Sequence, residues 1–120
     1  MLMRNFFTHL KDRTRWSWQG LLSTWRDEYS FRSWVWANLV SFALVLWLPI
    51  GTAERGLIIV LGILVLVAEL FNTALERAVD FTSTEQHPLA GQAKDAASAA
   101  VALTAIAAGV AWIVALVALI

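Results

Sequence analysis

The chain has 120 residues, enough for one domain, and 59% of them are apolar, giving a mean hydropathy of +0.65 that a soluble domain of this size does not carry. Nine Lys and Arg balance nine Asp and Glu, and no dense basic run occurs, so nothing points to nucleic acid. Cysteine is absent, which excludes disulfides and thiolate metal ligands.

Residues 1–32 read as an amphipathic helix lying in the membrane interface. Phe7, Leu10, Thr14, Trp18, Leu21 and Trp25 recur at helical spacing, while Lys11, Asp12, Arg13, Arg15 and Gln19 fall largely on the other side; Thr14 is the polar lapse in the apolar stripe. The plainer alternative is a helix packed on a soluble partner domain. The first long apolar stretch starts only at Ser33, too far in for a cleavable signal peptide.

Ser33 to Ala53 is 21 residues without a charge, bracketed by Trp34, Trp36 and Trp47 and closed by Pro49-Ile50-Gly51. Its apolar part is just long enough for a hydrocarbon core of about 30 Å, and residues 33–50 are predicted as the first transmembrane helix. The second is predicted over 52–81, where the 13 uncharged residues Gly56 to Ala68 run into a polar segment. Thr82 to Gly91 reads as a polar turn. The third transmembrane helix is predicted over 91–120, with 25 uncharged residues from Ala96 to Ile120; its alanines favour close packing, including contacts between subunits. The seven tryptophans read mostly as interfacial anchors.

Six of the nine Lys and Arg precede the first span. The positive-inside rule therefore places the N-terminus and the 82–91 turn in the cytoplasm and the Pro49 turn and C-terminus outside.

The polar segment in the second span carries the chemical signal. Glu69, Asn72, Glu76 and Asp80 follow 3-4-4 spacing, which gathers them within roughly 80° on a helix. Ionisable groups at this depth are expensive and mark functional sites. Asp27-Glu28, and then Glu85, His87 and Lys94-Asp95, fall on the same membrane face. Carboxylates with a lysine and an amide suit phosphoryl transfer: oxygens hold Mg²⁺, lysine neutralises phosphate charge, and a carboxylate accepts the proton of the attacking hydroxyl. No Gly-x-x-x-x-Gly-Lys-Ser/Thr loop is present, so a nucleotide site here is of another kind. Taken singly, Glu76, Arg77, Asp80 and Lys94 read as interfacial charges and His87 as a solvated loop residue; Glu69, first after the apolar run, is the hardest to explain that way.

At these residues the chain resembles the small integral-membrane diacylglycerol kinases of Gram-negative bacteria. The resemblance rests on Ala68-Glu69-Leu70-Phe71-Asn72-Thr73-Ala74-Leu75-Glu76 continuing to Asp80, and on Gly91-Gln92-Ala93-Lys94-Asp95-Ala96-Ala97-Ser98-Ala99-Ala100-Val101. Ser17-Trp18-x-Gly20, Trp25 with Asp27-Glu28, and Phe31-Arg32 support it, so that it covers essentially the whole chain. It implies an all-α homotrimer in the bacterial inner membrane, with sites shared between subunits, that phosphorylates diacylglycerol to phosphatidic acid with ATP and Mg²⁺.

Carried over by position, the resemblance makes Glu69 the general base, with Asn72 and Asp80 supporting it. Glu28 and Glu76 hold the metal and ATP phosphates, and Glu85, Gln86, His87, Lys94 and Asp95 bind nucleotide. Ser98, Trp25, Arg32, Trp47 and Arg55 fall on the lipid side. Departures occur at His9 and Trp16, nucleotide-contacting positions where the best-known relatives carry Arg and Tyr, and at Trp34 and Pro88, which replace acidic residues. The nearest alternative acceptor is undecaprenol, as in related kinases of Gram-positive bacteria. Rivals from other classes are an ion-translocating subunit with Glu69 as carrier and a non-catalytic helical adaptor. Glu69 lies 15 residues after Glu54, about 22 Å along the helix axis, nearer the inner edge of the core than the midplane a carrier would occupy.

Overall fold

The computed structural model describes residues 1–120. It is all helical: α1 (Leu2–Asp27), α2 (Tyr29–Trp47), α3 (Thr52–Thr82) and α4 (Pro88–Val117). The two prolines obey the rule that keeps them out of helix interiors. Pro49 lies just beyond α2, and Pro88 opens α4.

The corner between α1 and α2 is sharper than the sequence suggests. It falls at Glu28 alone, in extended conformation (φ −114°, ψ 110°), without glycine or proline. The first break therefore precedes the uncharged stretch at Ser33, and Tyr29 to Arg32 already belong to α2. Arg32 explains how the corner is held: its Nη1 donates to the carbonyl oxygens of Trp25 (2.5 Å) and Arg26 (3.0 Å). Those are end-of-helix acceptors left without intrahelical donors. At the opposite end of α2, Arg55 Nη2 donates to the Leu48 carbonyl at 2.9 Å and pins the turn into α3.

α3 and α4 form the principal helix pair, α2 packs on α3, and α1 touches only α2 and α3. The core is small: Val45, Ile50, Ile58, Ala111 and Ala115 cluster near the Pro49 turn, with Leu48, Ile59, Leu61 and Trp112 against them. Only 11 of 120 residues are buried, so most apolar side chains face outward, as expected where lipid is the solvent. α3 and α4 are each long and apolar enough to cross a membrane. α2, at 19 residues, is shorter and carries Ser30, Arg32, Ser33, Asn38 and Ser41.

Two contacts, one polar and one a close approach, join α2 to α4 and to α3. Trp112 Nε1 in α4 donates to Ser41 Oγ in α2 at 2.9 Å; this tryptophan is an interhelical fastener and not an interfacial anchor. Gly62 in α3 sits directly against the Asn38 side chain of α2, where the missing Cβ permits the approach.

Candidate active site

The polar groups lie along the second half of α3, which packs separately against the α1–α2 corner and against the start of α4. Glu69 is only 4% exposed, and no Lys, Arg or His lies within ion-pairing distance of it. A carboxylate without solvent or counter-ion needs hydrogen-bond donors. Ser30, in the first turn of α2, supplies one through Oγ to Oε1. Sequence reasoning missed Ser30, since nothing local ties it to a carboxylate 39 residues away.

Along α3 the stripe grades from buried to exposed and turns between two neighbours. Glu69 faces α2. Asn72 is half-buried and borders a groove of about 510 Å³ between α3 and α4, among Phe71, Leu75 and Ala97. Its Nδ2 donates to Glu76 Oε1 at 3.3 Å, while its Oδ1 is buried without a partner. Asp80, exposed, holds Lys94 Nζ of α4 at 2.6 Å, and Glu76 lies within electrostatic range of the same ammonium.

Beyond that pair, an open cleft of about 650 Å³ is bordered by Asp80, Ser83 to Pro88, Ala90, Gly91 and Lys94. It brings together Glu85, Gln86, His87 and Lys94, four of the residues the sequence singles out for nucleotide. Part of His87 is committed to the fold: its Nδ1 accepts from the Leu89 amide at 3.1 Å and caps α4. Asp95 and Ser98 are exposed and make no hydrogen bond or ion pair within the chain.

At the corner, Glu28 is half-buried. Its neighbour Asp27 accepts from Arg26 Nε and Nη2 at 2.8 and 3.1 Å. That hydrogen bonding holds the Asp27 carboxyl below the usual carboxylate value; desolvation opposes it, and the charges of Arg26, Arg77 and Arg32 add to the lowering. His9 and Trp16 lie exposed on α1, which makes no contact with α4 of the same chain, so neither borders the cleft. Trp47 and Arg55 lie at the far end of the α2–α3 hairpin, Arg55 about 21 Å along the axis from Glu69.

The donor set can be weighed against a metal ion. No three His, Asp or Glu side chains gather within one chain. Glu76 and the orphaned Asn72 Oδ1 nevertheless offer hard oxygens side by side. This fits Mg²⁺, which keeps several waters and takes one or two protein carboxylates together with substrate phosphates.

The chain matches the family described as prokaryotic diacylglycerol kinase over residues 15–116. It is 36% identical to the diacylglycerol kinase of Escherichia coli strain K12 over 110 residues, 92% of this chain and 90% of that one. It is 42% identical to the diacylglycerol kinase of Pseudomonas aeruginosa over 87 residues, 72% and 71% of the two chains. To that of Helicobacter pylori strain 26695 it is 47% identical over 81 residues, 68% and 63% of the two. The spanning-length apolar helices together with the match to these kinases make this a membrane protein of lipid-kinase type. The chain belongs to the prokaryotic diacylglycerol kinase family.

Proposed function

We propose that this chain transfers the γ-phosphate of ATP to the free hydroxyl of diacylglycerol, yielding phosphatidic acid at the inner leaflet of the bacterial cytoplasmic membrane. The observation that carries the reading is Glu69: a buried carboxylate with no counter-ion, hydrogen-bonded to a hydroxyl. In the reaction, the acceptor lipid's hydroxyl gives its proton to Glu69 and its oxygen attacks the γ-phosphorus as ADP departs. Asn72 and Asp80 keep the stripe in register. Lys94, with Glu85, Gln86, His87 and Asp95, holds the nucleotide in the cleft. Glu28 and Glu76 would hold Mg²⁺, which when bound neutralises charge on the phosphates.

Three α2, α3 and α4 spans per chain and a homotrimer complete the proposal. Asp80 lies 11 residues beyond Glu69, about 16 Å along the axis, and the stripe faces two different neighbours. One chain therefore leaves the base and the nucleotide grip far apart, and His9 and Trp16 can reach a nucleotide only from an adjoining subunit. Trp25, Arg32 and Ser98 are placed at the headgroup end of the lipid, and Trp47 and Arg55 at the other end of its path. The excess of Lys and Arg before α2 sets the N-terminus and the 83–87 connection in the cytoplasm.

The test is incubation of purified protein in mixed micelles with ATP, Mg²⁺ and either diacylglycerol or undecaprenol. Phosphatidic acid should form, and Glu69→Gln should lower turnover by at least about a hundredfold while ATP affinity persists. Faster phosphorylation of undecaprenol would overturn the acceptor assignment, and near-parent turnover by Glu69→Gln would overturn the base.

A further inference from the structure

We infer that Ser30 is a positioning residue for Glu69, its hydroxyl fixing one carboxylate oxygen so that the other is presented to the acceptor alcohol. This rests on the reading of Glu69 as proton acceptor. Seven other hydroxyls in the chain donate hydrogen bonds: Thr8, Thr14, Ser23, Thr24 and Ser33, then Thr82, Thr104. Each bonds a backbone carbonyl three or four residues earlier in its own helix. That is the local habit of Ser and Thr in helices. Ser30 departs from it, crossing from α2 to a carboxylate on α3.

The crossing matters because of what surrounds its target. Glu69 is buried, has no cation near it, and has Ser30 as its only side-chain donor. A hydroxyl bonded to a carboxylate makes a charge-assisted bond, stronger than one between neutral groups. With Oε1 engaged, the carboxylate plane is set by α2, and Oε2 is the oxygen left without a donor. A base held in this way needs no rotamer search when the lipid arrives, and misplacement of a catalytic group by about 1 Å can cost two orders of magnitude in rate.

The experiment compares Ser30→Ala, Ser30→Thr and Glu69→Gln with the parent in micelles, with kcat and KM measured for ATP and for diacylglycerol. Ser30→Ala should lower kcat about tenfold, the scale of a charge-assisted hydrogen bond, with both KM values within about twofold. Ser30→Thr keeps the hydroxyl and should restore most of the rate. In the Glu69→Gln background, Ser30→Ala should slow the enzyme no further, because the two act as one unit. A parent-like kcat in Ser30→Ala, a Ser30→Thr as slow as Ser30→Ala, or an equal further loss in the Glu69→Gln background would each overturn the assignment. If Glu69→Gln itself turns over at the parent rate, the proton-acceptor reading fails; if it is slow while Ser30→Ala is not, only the role of Ser30 fails.

Discussion

Arg77 of α3 reaches Asp27 of α1, with Nη2 3.5 Å from Oδ2, and its Nη1 donates to Ser23 Oγ at 3.2 Å. α1 is thus tied to the helix that carries the carboxylate stripe. Asp27 is also bonded by Arg26, which keeps its carboxyl below the ordinary value of 3.8. A group lowered by folding contributes fully above 3.8 and loses that contribution as pH falls through its lowered value. Spin labels on α1 and α3 should therefore report one constant separation across neutral and mildly acidic pH. The separation should widen only below the carboxylate range, and in Arg77→Ala that step should be absent.

Loss of one oxygen from the proposed metal site should appear as a changed requirement and not as a dead fold. Glu76→Gln should need more Mg²⁺ and more ATP for half-maximal rate, because Mg²⁺ is held through few protein groups. The amide also keeps an oxygen for Asn72 Nδ2, which donates to Glu76 in the parent at 3.3 Å. Titrations of Mg²⁺ and ATP that overlay the parent's would leave Glu76 as a structural charge.

Subunit mixing tests the proposal that the site is shared between chains. Glu69→Gln and Lys94→Leu chains, each inactive alone, should regain part of the parent rate when unfolded together and reassembled in micelles. Some sites in mixed assemblies would then draw an intact Glu69 from one chain and an intact Lys94 from another. Mixtures as inactive as either variant would mean that each site is built within one chain.

Gly62 and Asn38 give a prediction about packing. A methyl group at 62 would push on the Asn38 carboxamide, whose Nδ2 donates to the Trp34 carbonyl at 2.9 Å. Losing that bond costs about 1 kcal/mol, and replacing glycine by alanine inside a helix returns a similar amount, about 1 kcal/mol. Gly62→Ala alone should then leave stability in detergent nearly unchanged. In an Asn38→Ala background the same change should stabilise by about 1 kcal/mol, since only the propensity gain remains. Equal effects in both backgrounds would show that the two residues do not press on one another.

Much of this was legible in the sequence, for physical reasons that also mark its limit. Long uncharged runs between 33 and 120 can only be helices if they lie in lipid, because every backbone group must be satisfied within the segment. The 3-4-4 spacing of Glu69, Asn72, Glu76 and Asp80 is local and survives into α3 as a continuous stripe. What periodicity cannot carry is a contact between distant residues. The Glu28 corner has neither glycine nor proline, and it is held by Arg32 bonding backward to carbonyls that no pattern marks. Ser30 and Ser41 look like ordinary helix hydroxyls until α3 and α4 bring Glu69 and Trp112 to them. Likewise the i,i+4 rule places Asn72 next to Glu76, but only the packed helices show that Glu69 turns toward α2 while Asn72 turns toward α4.

The separations along the chain also set an order of events during synthesis. Ser30 and Glu69 are 39 residues apart and both lie within the hairpin of α2 and α3, which is complete once residue 82 has been translated. Lys94 meets Asp80 only after α4 has begun. A chain delivered from its N-terminus onward can therefore set its carboxylate against a hydroxyl before the lysine is brought to Asp80. A chain cut short before α4 would leave in the bilayer a hairpin with an oriented carboxylate and no lysine to meet Asp80.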